Sequence, residues 1–309
     1  MSLLVVAKKE FAEQVGSRRF IVLTLLTMLV VAYALHMGLR IAHQSMRAEV
    51  LQLFIGTGNA VFALFGAGLG LLAGFDLITR EREQGTLKVL LSHPVPRDAI
   101  ILGKAAGAFA AISLAVACVL AVATGAVLIY GMPLSIEELA DVAAFGGVTV
   151  IYIFTYFSFG IFASAVAKSS GTALTISALL LVFFSAAVPV AGELVSSRLA
   201  GEPPAPPVYE HRVHEDGSAA LEVVAEPDSQ AMRAYEQKMA EYMERKRRIS
   251  AIFGLFSPVY NYKELVRYLM AERTYGSHAE VLNRLAGFVA MPAVFFTLGY
   301  VRFVREDVV

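Results

Sequence analysis

"FDLITREREQGTLKVLLSHPVPRDAIILGK", residues 75–104, lies between two long apolar runs and packs Asp76, Arg80, Glu81, Arg82, Glu83 and Lys88 into about four helical turns. The flanking runs, 51–75 and 101–128, decide the fold. A helix crosses the hydrocarbon core of a bilayer with roughly 20 apolar residues, and both runs are long enough. Four more, at 20–38, 143–166, 172–192 and 286–303, share their character. Lipid offers no partner to a backbone N–H or C=O, so such segments must be helices. Their continuous rather than alternating hydrophobicity argues against an outer-membrane barrel. The whole chain agrees: 57% of its 309 residues are hydrophobic and 17% charged, and the mean hydropathy is +0.63. The expectation is an all-α membrane protein with six transmembrane helices, an N-terminal interfacial helix, a cytoplasmic coupling helix and a large extracytoplasmic insertion between spans five and six.

Lys and Arg balance Asp and Glu at 26 each, so no net field draws nucleic acid. A single cysteine, Cys118, excludes an internal disulfide and a four-thiolate metal site; inside an apolar run it reads as a small buried hydrophobe. With the N-terminus inside, twelve Lys and Arg fall on the inner side and two, Arg40 and Arg47, in short outer loops. Cytoplasmic loops carry the excess of basic residues. Both termini are therefore expected in the cytoplasm, in a multi-pass protein of the cell inner (plasma) membrane. The first span reads as an uncleaved anchor.

Four regions follow. Residues 1–19 place Leu4, Ala7, Phe11 and Val15 on one helical face, the pattern of a helix lying on the inner membrane surface. Residues 20–192 hold spans one to five, with a coupling segment at 76–100. Residues 193–285 are extracytoplasmic, and 286–309 hold span six and a cytoplasmic tail.

Within the opening stretch, Gly85 would cost about 1 kcal/mol in a helix interior, so a helix descending from span two should end there. Thr86 can cap a second short helix in which Leu87, Leu90 and Leu91 share a face, stopped by Pro94 and Pro96. Arg80 can reach Glu83 at i+3, whereas Glu81, Arg82 and Lys88 have no opposite charge three or four positions away. Such charges beside an apolar strip fit a docking surface. A solvated inner loop fits them equally.

Glu81, Arg82, Glu83, Gly85, Thr86, Leu87, Pro94, Gly103 and Lys104 together resemble the signature of the type-2 (ABC-2) permease family of ATP-binding-cassette transporters. The topology resembles it too, most nearly the permeases of nitrous-oxide-reductase maturation. The resemblance implies that residues 80–92 dock on a nucleotide-binding subunit, making Glu81, Arg82, Glu83, Gly85, Thr86, Leu87, Leu90 and Leu91 the coupling residues. It implies two copies of a cytoplasmic ABC ATPase, a second permease subunit in a homodimer, and surrounding membrane lipid.

Gly103-Lys104 is no phosphate-binding loop: Asp98 stands where its first glycine belongs, and Ala105 where Ser or Thr meets magnesium. ATP and Mg are expected on a partner, with no cofactor, metal or catalytic residue in this chain. Zinc-protease and serine-hydrolase motifs are missing. Asp76 lacks the second intramembrane carboxylate of an aspartyl protease and fits the inner interface beside an Arg. The functional expectation is a permease, as an exporter; the alternatives are a mechanical complex acting on a periplasmic or membrane partner, and a stand-alone scaffold or receptor.

Gly66, Gly70 and Gly74 recur every four residues along span two, letting backbones approach closely, either inside one bundle or at a dimer interface. Gly103 and Gly107 do the same in span three. In the outer segment, Met232, Tyr235, Met239 and Tyr242 share a face of a helix expected from about Asp228 to Ile249. That stripe reads as packing rather than a copper site, and His211 with His214 as hydrated loop residues. Phe253, Phe256, Tyr260 and Tyr262 are expected as interfacial aromatics on the return to the membrane.

Overall fold

The computed structural model describes residues 3–44, 50–86, 96–131, 134–205, 230–270 and 278–305, and every regular element among them is helical. Six helices are long and apolar enough to cross a membrane: Arg18–Gly38, Gly56–Glu83, Arg97–Ile129, Ile136–Val166, Ser170–Leu199 and Leu282–Val304. They overlie the six apolar runs.

The chain begins with α1 (Leu3–Gly16) and α2 (Arg18–Gln44). Span two is α3 (Val50–Val61), a π-helical turn at Phe62–Gly66, and α4 (Ala67–Gly74), followed by the short α5 (Thr79–Glu83). Next come α6 (Arg97–Ile129) and α7 (Ile136–Val166). Pro96, which has no N–H to leave unpaired, precedes α6 in an extended conformation. A capping box starts α7: Ser135 Oγ accepts the Glu138 N–H at 3.1 Å, and the Glu138 carboxylate accepts the Ser135 N–H at 2.7 Å. Span five is α8 (Ser170–Val182), a second π turn at Phe183–Ala187, and α9 (Val188–Leu199). The remaining described helices are α10 (Gln230–Gly254), α11 (Pro258–Met270) and α12 (His278–Val304).

Two compact units form, Met1–Ala186 with Leu255–Val309, and Ala187–Gly254. In the first, α7 is the central helix, packed against α4, α6, α8, α11 and α12. Its contact with α4 is backbone to backbone. A Cβ on Gly70 would fall 2.1 Å from the Ile153 carbonyl oxygen, and one on Gly74 2.5 Å from that of Phe157. Gly66 meets the Ile153 side chain. The glycine edge of span two is thus covered by α7 of the same chain.

Helix α1 lies along α6, where Gly107 admits it: a Cβ there would come within 2.4 Å of the Ala7 carbonyl. Val6 and Glu10 are buried, and Ala7, Phe11 and Val15 of the apolar face are half-buried, while Leu4 is 75% exposed.

Polar side chains cross the core from α7. Tyr152 Oη donates to the Ala63 carbonyl inside the first π turn at 2.7 Å, and Tyr156 Oη bonds Ser185 Oγ inside the second at 2.6 Å. A π turn frees a carbonyl from the regular ladder, and here a tyrosine takes it or a neighbour's hydroxyl. Tyr262 packs inside the protein. It is fully buried, stacked on Tyr152 at 4.3 Å and bonded to Thr149 Oγ1 at 2.9 Å. Burial pushes its phenol pKa up, against the pull of the Thr149 bond. Phe256 remains exposed.

In the second unit α9 packs on α10. Gly192 sits against Phe253, and Lys246 Nζ meets Glu193 Oε1 at 2.6 Å, which holds the Lys246 pKa above its usual value. Lys246 and Phe253 continue the half-buried stripe of Met232, Tyr235, Met239 and Tyr242 at helical spacing, so the stripe is a packing face. His211, His214 and the turn at Asp216-Gly217 lie outside the described residues.

Candidate coupling site

Helix α5 is one short turn, yet it is fastened on three sides. Its first N–H groups would be orphans; instead Ser164 Oγ, from the last turns of α7, accepts the N–H groups of Ile78 and Thr79 at 2.9 and 3.0 Å. At the other end Gly85 adopts φ +69°, the left-handed conformation that terminates a helix and that glycine takes without a Cβ clash. Thr86 Oγ1 donates back to the Glu81 carbonyl at 3.3 Å. Leu87, Leu90 and Leu91, and the short helix expected of them, lie outside the described residues.

Three consecutive side chains then reach three different places. Glu81 Oε1 meets Lys104 Nζ of α6 at 2.9 Å, and the same ammonium meets Glu10 Oε2 of α1 at 3.1 Å. Both Lys104 and Glu10 are buried, and Glu81 is 15% exposed. Gln14 completes the group, donating to Glu10 Oε1 at 2.8 Å and to the Ala73 carbonyl at 2.9 Å. A buried ammonium needs carboxylates around it, which is why α1 turns Glu10 inward.

Arg82 Nη1 donates to the Ala167 carbonyl, at the C-terminal end of α7. Glu83 accepts the Ser170 backbone N–H at 2.7 Å and its hydroxyl at 2.8 Å, at the N-terminal end of α8. A cation therefore faces a helix C-terminus and an anion the next helix N-terminus, each the favourable sign for the helix dipole. The local expectation that Glu81 and Arg82 are unpaired is corrected: their partners are tertiary. Glu83 turns to Ser170 rather than Arg80. Asp76, just before α5, pairs with Arg19 at 2.7 Å.

Nothing in this arrangement is a catalytic constellation, and among the described residues no group of three His, Cys, Asp or Glu can hold a metal ion. These contacts make a polar joint between α5 and the helices α1, α6, α7 and α8. Sequence reasoning missed Ser164, Ser170 and Glu10. A short polar residue near a helix end was the available signal for the serines, and Glu10 beside Lys8 and Lys9 looked like surface.

A family model described as ABC-2 family transporter protein matches residues 4–308, spanning the joint and all six apolar helices. The chain belongs to this family. No curated protein matches it. ABC-2 membrane proteins partner with ABC ATPase subunits in general and are normally the non-catalytic membrane component. This ABC-2 protein is accordingly a multi-pass membrane protein of the permease type.

Beside the joint, the ABC-2 bundle encloses a cavity of about 510 Å³ walled by α1, α2, α4, α5 and α6. Glu10, Glu81 and Lys104 line it, as do Arg19 and Asp76. Phe20, Leu23, Leu69 and Leu72 supply an apolar wall.

Proposed function

We propose that this ABC-2 protein is the permease subunit of an exporter, working with a separate cytoplasmic ATPase present in two copies that binds the ATP and magnesium. In this reading the chain lies in the inner (plasma) membrane with both termini cytoplasmic and pairs with a second copy of itself. Its subtype is that of the nitrous-oxide-reductase-maturation permeases. The observation that supports it is the joint at residues 81–83. A push on the segment after span two reaches α6 and α1 through Glu81, the end of α7 through Arg82 and the start of α8 through Glu83. Leu87, Leu90 and Leu91 form the docking face, and 81–83 carry its motion into the bundle. Because α7 covers the glycine edge of span two, the pairing surface is the apolar flank of span five, where Leu179, Val182 and Phe183 are exposed.

The second compact unit, Ala187–Gly254, favours a second reading. A separately packed body of this kind suits a complex that pulls on an outer partner without passing a cargo.

Purification of the tagged chain from its native membrane in mild detergent tests the first point. A stoichiometric soluble partner with a phosphate-binding loop supports the transporter reading, and a lone chain overturns it. With the partner in hand, Ser170→Ala and Glu83→Ala should lower the ATPase activity of the complex while assembly persists. Full activity in both variants would remove the joint from the coupling path.

A further inference from the structure

The cavity beside the joint has no place in the coupling mechanism. At about 510 Å³ it falls within the size of small-molecule sites, roughly 300–1,000 Å³. Its charges are unusually ordered. Four cationic side chains line it, Lys9, Arg19, Arg80 and Lys104, and four anionic ones, Glu10, Glu13, Asp76 and Glu81.

At the back, Glu10 and Glu81 share the single ammonium of Lys104, so the inner wall has one carboxylate more than cations. Glu81 Oε2 is buried there with no hydrogen-bond partner. Toward the rim the balance reverses. Lys9 pairs with Glu13 at 3.5 Å and Arg19 with Asp76 at 2.7 Å, leaving the exposed Arg80 without an ion pair among the described residues. The cavity is therefore anionic at its back, cationic at its rim and neutral in sum. A simple anion or cation would meet a repulsive half.

We propose that this cavity binds the headgroup of an aminophospholipid, with the ammonium toward Glu81 and the phosphate at Arg80 and Arg19. Guanidinium forks match phosphate oxygens in a bidentate manner. A primary ammonium offers three donors to carboxylates, whereas a quaternary one offers none and prefers an aromatic cage, which a single Phe20 does not make. A lipid fits better than a soluble zwitterion because the apolar wall belongs to helices that enter the membrane. Phe20 and Leu23 are on α2 and Leu69 and Leu72 on α4, and along α2 the apolar side chains of Val22, Leu25 and Leu29 are exposed. The inference needs only the multi-pass placement, not the coupling reading, and requires no ATPase for its test.

The full chain in detergent would be titrated with phosphatidylethanolamine, phosphatidylcholine, phosphatidylglycerol and soluble glycerophosphoethanolamine, and bound lipid counted by native mass spectrometry. Phosphatidylethanolamine should be retained about tenfold more tightly than the other two lipids, the ratio that one charged hydrogen bond of roughly 1.5 kcal/mol supplies. Arg80→Ala and Arg80→Glu, at an exposed position, should each weaken retention of all three lipids, and Glu81→Gln should remove the preference for phosphatidylethanolamine. Equal retention of all three lipids by the unaltered chain, or unchanged retention of phosphatidylethanolamine in both Arg80 variants, overturns the proposal. Displacement by glycerophosphoethanolamine at equal concentration overturns the lipid assignment in favour of a soluble zwitterion.

Discussion

Glu83 and Ser170 stand 87 positions apart and meet twice, the carboxylate accepting both the backbone N–H and the hydroxyl of the serine. The segment after span two is thereby tied to the opening turn of span five. Ser170→Ala removes one of the two bonds and Glu83→Gln weakens both. Each variant should lower the thermal midpoint in detergent, and the double variant should lose less than the sum of the two. Additive losses in that cycle would mean that the contact is energetically idle.

Ser164 carries two buried backbone donors on one hydroxyl. Ser164→Ala leaves the Ile78 and Thr79 N–H groups without a partner and should destabilise by about 1–3 kcal/mol. Amide exchange at residues 78–83 is the local readout and should speed up there first.

Lys104→Met is expected to be more damaging, at about 3–5 kcal/mol, because it strands two carboxylates in a buried site. Replacing all three members, with Glu10→Gln, Glu81→Gln and Lys104→Met, should recover most of that loss. If the single and triple variants are equally unstable, volume rather than charge governs the site.

Gly70→Ala and Gly74→Ala push a methyl group into the backbone of α7, and overpacking of this kind costs about 1–3 kcal/mol or more. Gly125→Ala, with no neighbour near the new methyl, should instead stabilise by up to about 1 kcal/mol through helix propensity. Thermal unfolding of the three variants side by side checks both signs.

Tyr152→Phe removes the donor to Ala63 in the first π turn. A loss of about 1 kcal/mol is expected, with faster amide exchange around residues 62–66. Unchanged protection there would show that the turn holds itself.

The spans were legible because hydropathy is a local property with a length threshold. The stop at Gly85 was legible for a similar reason, since one residue type fits the left-handed turn. The Arg19–Asp76 pair follows the expectation of a carboxylate beside an inner-side Arg. The joint was not legible. Glu81 pairs with Lys104, and Glu83 with a serine on another helix, whereas spacing rules see only neighbours on one helix. For α1 the apolar pattern found Phe11 and Val15, which pack on the core, but helical spacing gave no sign that Glu10 turns in to Lys104. The burial of Tyr262 was not legible either, because its partner Thr149 lies on another helix, 113 positions away.

The first π turn also settles a question of phase. An α-helix advances about 100° per residue, so Gly58 and Gly74, 16 positions apart, would end about 160° out of alignment on an unbroken helix. One inserted residue takes back roughly one residue's rotation, about 100°. Gly58 against Phe145 and Gly74 against Phe157 consequently lie along the same neighbour. Deleting a single residue from 62–66 would restore a regular helix with this edge still facing α7, whereas making the turn α-helical with every residue kept would swing half of it away.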